Sequence, residues 1–572
     1  MEMAAKAIDT QATLTQVELV DNVPTAKLNP RTSLRDFSVG ASSKNSAEEH
    51  ERLVWDLASV LFDHIKIPTD MHDDPDALQK LRRDNLSHFW EHMVDEQTSK
   101  AVAMAGSNEE KALAALSGHR IAEACKYLLD GKDFRLATLV ALIGTSDEGK
   151  RDMREQVKEW QDAGVLSEFS QSIRALYEML SGNVCVCEGM KGAIENRMDS
   201  FVISHRFGFN WQQALGLRLW YASSTESSIT DAVQRYREDI EQDKELPPKP
   251  WFIENGIKGI WNDSNQDQRQ DLLWGLLRLY SEEDVDLEAI LRPENSQLSP
   301  LDYRLCWQLG QALTATDKVS FGERAVEKAD AATISFAAQL TNEGSWLEAT
   351  FVLLHLTDPA ARSKAIEDHL CRHAGHIGAE DSTSFRKLAG DFKIPTQWIW
   401  HAKALFMRSV KKDPTAEVQS LLRAQSYADA HRTFIKEVAP LAIIERDYDA
   451  LADVLQQFEG RQSQVSDWNI GGEIYKAFLQ LTGYDRRREP PPTTLVNNLL
   501  DGLPAMHGNA PGAGIIEYAA LTEMASEVAK VVASMAKAGQ VCLNSSSLGE
   551  ALLNTMLTMI IRWNTSVFYT FP

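Results

Sequence analysis

Cysteine is scarce: Cys125, Cys185, Cys187, Cys306, Cys371 and Cys542 are the only six in 572 residues. They form no disulfide framework of the kind that staples small secreted domains, which points to a reducing compartment. Proline (19) and glycine (31) are modest, and 44% of the chain is hydrophobic, so it is not largely disordered. Lysine- and arginine-rich runs are missing. The densest basic clusters are Arg486-Arg487-Arg488 and Lys411-Lys412, set against a net charge of −23 and a pI near 5.1. Tracking a phosphate backbone needs a basic stripe, so no direct nucleic-acid binding is expected, and adhesion to anionic membranes is disfavoured too. Long apolar runs are also absent. Leu136 to Ile143 and the stretch around Met559 to Ile561 are too short to span a bilayer, and the N-terminus has no apolar core with a cleavage site. These absences predict a soluble intracellular protein with no membrane insertion.

Catalytic signatures are lacking as well. There is no P-loop, no G-x-G-x-x-G after a strand and no G-x-S-x-G elbow. His88 and His92 stand at helical i, i+4 spacing, but no glutamate directly follows the first histidine, as a zinc-protease helix requires. Cys371, His373 and His376 gather at a helix end without a second ligand pair nearby. Cys185-Val186-Cys187 is a C-x-C among apolar neighbours and reads as a buried turn. Glu282-Glu283-Asp284 lies in an acidic loop, without the hydrophobic wall that raises a carboxyl pKa for acid catalysis. No catalytic, cofactor-binding or metal-ligating residue is assigned. A helical enzyme of unrecognised type stays open as a rival, to be revived by a convergent pocket of shifted titratable groups.

What the chain does have is helix after helix. From Ser46, which has capping-box spacing to Glu49, apolar stripes at helical period follow one another to Leu481. The predicted fold is all-α, an irregular helical solenoid, with at most a small N-terminal β segment. A hairpin signature recurs four times: an aromatic residue at a helix start with alanine three positions on. The cases are Phe134/Ala137, Trp211/Ala214, Trp346/Ala349 and Tyr427/Ala430, each after a turn-friendly stretch. The aromatic anchors the helix start, and the alanine leaves room for a neighbouring backbone. Units of this kind cannot bury their apolar faces alone, so they stack. Trp220, Tyr303, Trp307, Trp346 and Trp468 sit in apolar stripes and are expected in the core. Residues 1–45 read as a flexible segment with one strand, Thr13 to Val20. Residues 46–395 form the main helical body and 396–485 a helical tail. Residues 486–514 form a linker, and 515–572 the last helices, Ile515 to Ala538 and Leu548 to Ile561.

Several blocks, in order, carry a family resemblance. They are LVWDLASVLFDHI (Leu53 to Ile65), LSGHRIAEACKYLLDGKDFRLATLVALIG (Leu116 to Gly144), FNWQQALGLRLWYAS (Phe209 to Ser223) and SPLDYRLCWQLGQAL (Ser299 to Leu313). ISFAAQLTNEGSWLEATFVLLHL (Ile334 to Leu356), LLRAQSYADAHRTFIKEVAPLAIIERDYDAL (Leu421 to Leu451) and DWNIGGEIYKAFL (Asp467 to Leu479) complete the set. Together, over about residues 50 to 480, they resemble the nuclear protein 96 family of Y-complex scaffold nucleoporins, which belong to the ancestral-coatomer group. The resemblance implies a trunk, a crown where the chain reverses, a returning trunk and a tail. It also implies a non-enzymatic scaffold role at the nuclear pore, supporting nucleocytoplasmic transport including mRNA export. The crown, about Glu109 to Tyr236, would meet a related helical nucleoporin, and the tail, about Trp398 to Leu481, the subunits at the junction of the Y. The family inserts an N-terminal blade into a small β-propeller. Here only one strand suggests it, with Leu14, Val17 and Leu19 as candidate contacts. Trp398, Trp400, Phe406 and Tyr475 are the candidate contacts of the tail. The family protein is usually released from a longer self-cleaving precursor, whereas this chain begins at Met1 without a peptidase domain. Asn564 to Pro572 does not continue the helical pattern. A vesicle-coat cage subunit shares the same architecture and is the alternative reading.

Overall fold

A computed structural model describes residues 2–38, 46–68, 74–191, 197–222, 227–257, 261–315, 319–484, 491–508 and 514–537. The expected helix Leu548 to Ile561, Cys542, Arg486-Arg487-Arg488 and Asn564 to Pro572 lie outside the described residues. About 70% of the chain is helical. Among the described residues the only sheets are two-stranded: Thr15–Val20 (β1) with Val23–Leu28 (β2), and Val186–Cys187 with Phe201–Val202. The all-α prediction holds. The helices divide into two compact units, one of Met1–Gln16 and Ala26–Thr357, the other of Val17–Thr25 and Asp358–Pro572.

The four recurrent signatures fold by one local mechanism. Phe134, Trp211, Trp346 and Tyr427 are each the first residue of a helix, and Ala137, Ala214, Ala349 and Ala430 are all buried. Two or three positions before each aromatic the backbone turns left-handed, at Lys132 (φ 63°), Gly208 (φ 69°), Gly344 (φ 88°) and Gln425 (φ 62°). At three of the four the preceding helix closes with the same pair of bonds. In the first, the Lys132 and Asp133 amides donate to the carbonyls of Leu129 and Leu128, each at 3.0 Å. Gly344 and Ser345 do so to Thr341 and Leu340, and Gln425 and Ser426 to Leu422 and Leu421. This is the Schellman closure, which satisfies the last carbonyls of one helix while aiming the chain into the next. Arg446-Asp447-Tyr448 repeats it, with Leu451 in the alanine's place. The aromatic is less uniform than the alanine: Trp211 is buried, Trp346 and Tyr427 are half-buried, and Phe134 is 65% exposed. The turn and the small residue carry the motif, because helices can approach closely only where a small side chain lies between them.

The described N-terminal residues, 2–38, depart from expectation. They carry helix Glu2–Leu14 (α1), the β1–β2 hairpin and a short 3-10 turn, Leu34–Phe37. Ala7, Ile8 and Gln11 of α1 are buried, and the Gln308 amide donates to the Ala7 carbonyl at 3.0 Å. Ile8 is the one large apolar side chain among these three, so the face leaves little hydrophobic periodicity to read. Phe37 stacks on Trp55 of helix Ser46–Phe62 (α2), with ring centroids 4.8 Å apart. Helix Ala77–Met104 (α3) crosses α2, and its buried Arg82 donates to the carbonyls of Val60, Leu61 and Asp63. A cation thereby caps the otherwise unsatisfied C-terminal end of α2. Two tryptophan bonds tie α3 to later residues: its own Trp90 donates from Nε1 to the Gln212 carbonyl at 2.8 Å, and its Ser87 Oγ accepts from Trp220 Nε1 at 2.9 Å. One core runs from Leu28 to Phe321. Of the five aromatics expected in the core, Trp220, Trp307 and Trp468 are buried, while Tyr303 and Trp346 are half-buried.

The second unit has its own core, from Ala404 to Met535. The expected boundary at 395/396 falls inside it, because helix Pro359–His373 packs against Thr396–Phe406. The expected linker 486–514 is also not a plain linker: Thr493–Gly508 is a helix with Pro504 inside it. Val496, Leu499 and Leu503 form its buried stripe, and its Gly502 lies so close to Ile474 that a Cβ there would approach within 2.8 Å. The packing outweighs the one ladder bond that Pro504 removes.

Candidate interaction surfaces

The N-terminal hairpin presents the first candidate surface. Asp21 and Asn22 form its tip with positive φ (51° and 63°), a backbone suited to a tight two-residue turn. One face of β2 is tied down. The Ala26 amide donates to the Leu354 carbonyl at 3.0 Å, and, within the other unit, Arg362 Nε donates to the Pro24 carbonyl at 2.9 Å. Strand β1 pairs with no strand other than β2 among the described residues. Leu14 and Val17 are half-buried, and Leu19 is 52% exposed with Val20 beside it. Of the three hairpin candidates, Leu19 is therefore the one presented to solvent.

A second surface lies on Ile121–Asp130 (α4) and Phe134–Val140 (α5), within the segment expected as the crown. Leu128, Leu136, Ala137 and Val140 point into the core, while Leu129, Phe134 and Leu142 face outward at 48%, 65% and 64% exposure. All three lie on this helical hairpin or in the turn that follows it.

The tail residues divide. Tyr475 is 1% exposed and packs its ring on Phe434, at 5.9 Å between centroids. Trp400 is buried as well, with Lys403 and Arg423 over its ring at 4.4 and 4.5 Å and Phe385 alongside. Trp398 and Phe406 are half-buried, and Phe406 fits so closely to Gly375 that a Cβ there would sit 3.0 Å from the ring. Tyr475 and Trp400 thus serve the fold. Leu405, Val410, Leu441 and Ile444 are the exposed apolar groups of this segment, and the sequence pattern did not single them out. Leu405, Leu441 and Ile444 lie on helices that also bury apolar residues, where only the packing decides which side is wet.

Several of the buried titratable groups have partners within the fold. Arg218, almost fully buried, donates to Asp239 at 2.7 and 2.9 Å, to Glu245 at 2.9 Å and to the Ala214 carbonyl at 2.7 Å, and lies 4.9 Å from the centre of the Tyr236 ring. Glu245 also accepts from Ser204 Oγ at 2.6 Å. Glu245 is therefore a buried counter-ion to Arg218. Asp271 is fully buried, which pushes its carboxyl up to about 8, and it caps helix Leu272–Ser281 by accepting from the Leu273 amide. Burial raises the Cys185 thiol to about 12 and the Cys187 thiol further, so neither is a nucleophile. His88 and His92 are exposed, with His88 3.7 Å from Glu91. No group of His, Cys, Asp or Glu among the described residues could hold a metal ion. No described helix is long and apolar enough to cross a membrane. The chemistry available here is packing, ion pairing and backbone pairing.

The comparisons agree with this geometry. Residues 110–406 match the family described as Nuclear protein 96. The chain is similar to Nucleoporin NUP145 of Chaetomium thermophilum, at 38% identity over 484 residues covering 83% of this chain and 24% of that protein. It is similar to Nucleoporin nup189 of Schizosaccharomyces pombe, at 31% identity over 83% of this chain and 26% of that protein. Nuclear pore complex protein NUP96 of Arabidopsis thaliana is 24% identical over 76% of this chain and 42% of its own length. The chain spans between about a quarter and two-fifths of the length of these relatives.

Proposed function

The chain belongs to the nuclear protein 96 family, and we propose that it is a non-enzymatic scaffold component of the nuclear pore complex, located at the nuclear envelope. The match over residues 110–406, which takes in the α4–α5 hairpin, is the observation that carries this reading. Within that role we propose membership of the Y-shaped scaffold, in support of nucleocytoplasmic transport including mRNA export. The crown, about Glu109 to Tyr236, takes a related helical nucleoporin. The outward Leu129, Phe134 and Leu142 supply the apolar centre that such an interface needs, since exposed aromatics and aliphatics concentrate at interface cores. The tail, about Trp398 to Leu481, takes the junction subunits through its exposed groups Leu405, Val410, Leu441 and Ile444 rather than through Trp400 or Tyr475. The β1–β2 hairpin is the chain's part of the propeller blade. Leu19, exposed on strand β1, supplies a side-chain contact there. Imaging of the tagged protein tests the location: rim staining of the nucleus is expected, and puncta at endoplasmic-reticulum exit sites would assign it to a vesicle coat instead. Co-purification should return other nucleoporins in stoichiometric amounts, and their absence would refute the scaffold reading.

A further inference from the structure

Basic residues are thinly spread along this acidic sequence, yet three arginines from separate elements meet in one cleft of the second unit. The cleft, of about 930 Å³, is lined by Arg386, Arg423 and Arg461 together with Trp400 and the carboxylates Glu380 and Glu459. Arg386 ends helix Thr383–Arg386, Arg423 ends helix Pro414–Arg423, and Arg461 lies in the turn beyond helix Tyr448–Gln457. Arg386 and Arg461 have no ion-pair partner among the described residues, and Arg423 has only Glu380, at 3.7 Å, with both side chains more than half exposed. An ion pair so exposed is worth little and is easily exchanged.

Aromatic rings hold two of these cations in place. Arg423 lies over the Trp400 ring at 4.5 Å, with Lys403 over the same ring at 4.4 Å, and Arg461 lies over Tyr427 at 5.0 Å. A guanidinium stacked on a ring is oriented without losing its N–H fork, which remains available to a carboxylate. Three arginines face two glutamates in the lining, so positive charge exceeds what the carboxylates there neutralise. Trp400 itself is only 7% exposed, so its ring is committed to the cations and does not stack on a ligand.

We propose that this cleft is the docking site of an acidic protein segment, whose spaced carboxylates pair with Arg386, Arg423 and Arg461. The proposal rests on the reading of the tail as partner-binding and names the chemistry of the segment it takes. Charge complementarity selects the occupant. The chain carries −23 overall, so an acidic peptide is repelled from most of its surface and is admitted only where cations cluster. Glu380 and Glu459 break the positive lining. They oppose the unbroken charge of a nucleic-acid strand, whereas a peptide can present its carboxylates between them.

The test is fluorescence anisotropy of a labelled peptide of alternating glutamate and alanine with the full chain, at about 50 and about 200 mM salt. Saturable binding that weakens with salt is expected. The R386E/R461E variant, altered only at exposed positions, should keep the wild-type circular dichroism and lose at least about tenfold in affinity, while R386K/R461K retains part of it. Failure of the wild-type chain to bind the peptide at about 1 mM, or equal affinity in the charge-reversed variant, overturns the proposal. So does a thymidine oligonucleotide that binds more tightly than the peptide and is lost in the same variant. Co-purification separates this outcome from the fate of the tail reading. If partners lost in an L441E/I444E variant, altered only at exposed tail positions, are kept by R386E/R461E, the tail binds them and the cleft does not.

Discussion

His431 makes the second unit sensitive to acid, and the effect can be worked out from its surroundings. Its side chain is buried between the rings of Trp468 and Phe458, at 5.4 and 6.3 Å. Nε2 accepts a hydrogen bond from the Gly472 amide at 2.9 Å. That nitrogen must therefore be unprotonated in the folded chain, since a proton there would set donor against donor. Burial is the main cause of its shift, lowering the pKa from 6.5 to about 4, and Asp467 opposes it only weakly. A lowered folded pKa means that the unfolded chain takes up the proton first. The stability this residue contributes is complete above about pH 6.5 and is lost as pH falls toward 4. At pH 5 the unfolded state is stabilised by about 2 kcal/mol through this one group. The His431→Gln variant keeps an acceptor for the Gly472 amide but cannot titrate. Urea unfolding of both chains at pH 7.5 and pH 5, followed by circular dichroism, should show the wild type losing about 2 kcal/mol more than the variant over that interval. Equal losses in the two chains would refute the reasoning, since His50 and His355, buried with pKa values of about 3 and 4, contribute alike to both.

Three further outcomes follow from the packing. Gly344→Val should cost about 1–3 kcal/mol through the left-handed backbone alone, because no neighbour lies within 4 Å of the added Cβ; a thermal shift no larger than that of an exposed helix substitution would contradict this. Tyr475→Ala should cost about 3–5 kcal/mol and loosen the whole second unit, visible as faster amide exchange throughout its core; loss of a binding partner with no loss of stability would return Tyr475 to the interface. Phe134→Glu with Leu142→Glu should leave stability within about 0.5 kcal/mol of wild type while abolishing co-purification of the crown partner; retained binding would remove these residues from the interface.

Much of this protein was legible before any coordinates. The succession of helical periods, the absence of catalytic spacing and the four hairpin signatures are local properties, and local properties survive in a sequence. All four signature helices begin at the aromatic, and all four alanines are buried, because a left-handed turn followed by a small residue needs only a few consecutive positions to specify it. The family blocks reach the same conclusion, since each includes helical residues that are buried. What the sequence left open depends on residues far apart in the chain. Helix α1 buries Ala7, Ile8 and Gln11, and the Ala7 carbonyl is bonded by Gln308, 301 positions away, so its amphipathic signal is weak. The helix Thr493–Gly508 forms in spite of Pro504, because Ile474 and its neighbours cover the apolar stripe. Tyr475 and Phe134 show the same limit from opposite sides: one aromatic at helical spacing is core, the other is surface, and their local sequences do not distinguish them. The arginine cleft is a further case, since no two of its arginines are close in sequence and only folding brings them together. Periodicity records that a helix has an apolar face, while the tertiary structure alone decides what covers that face.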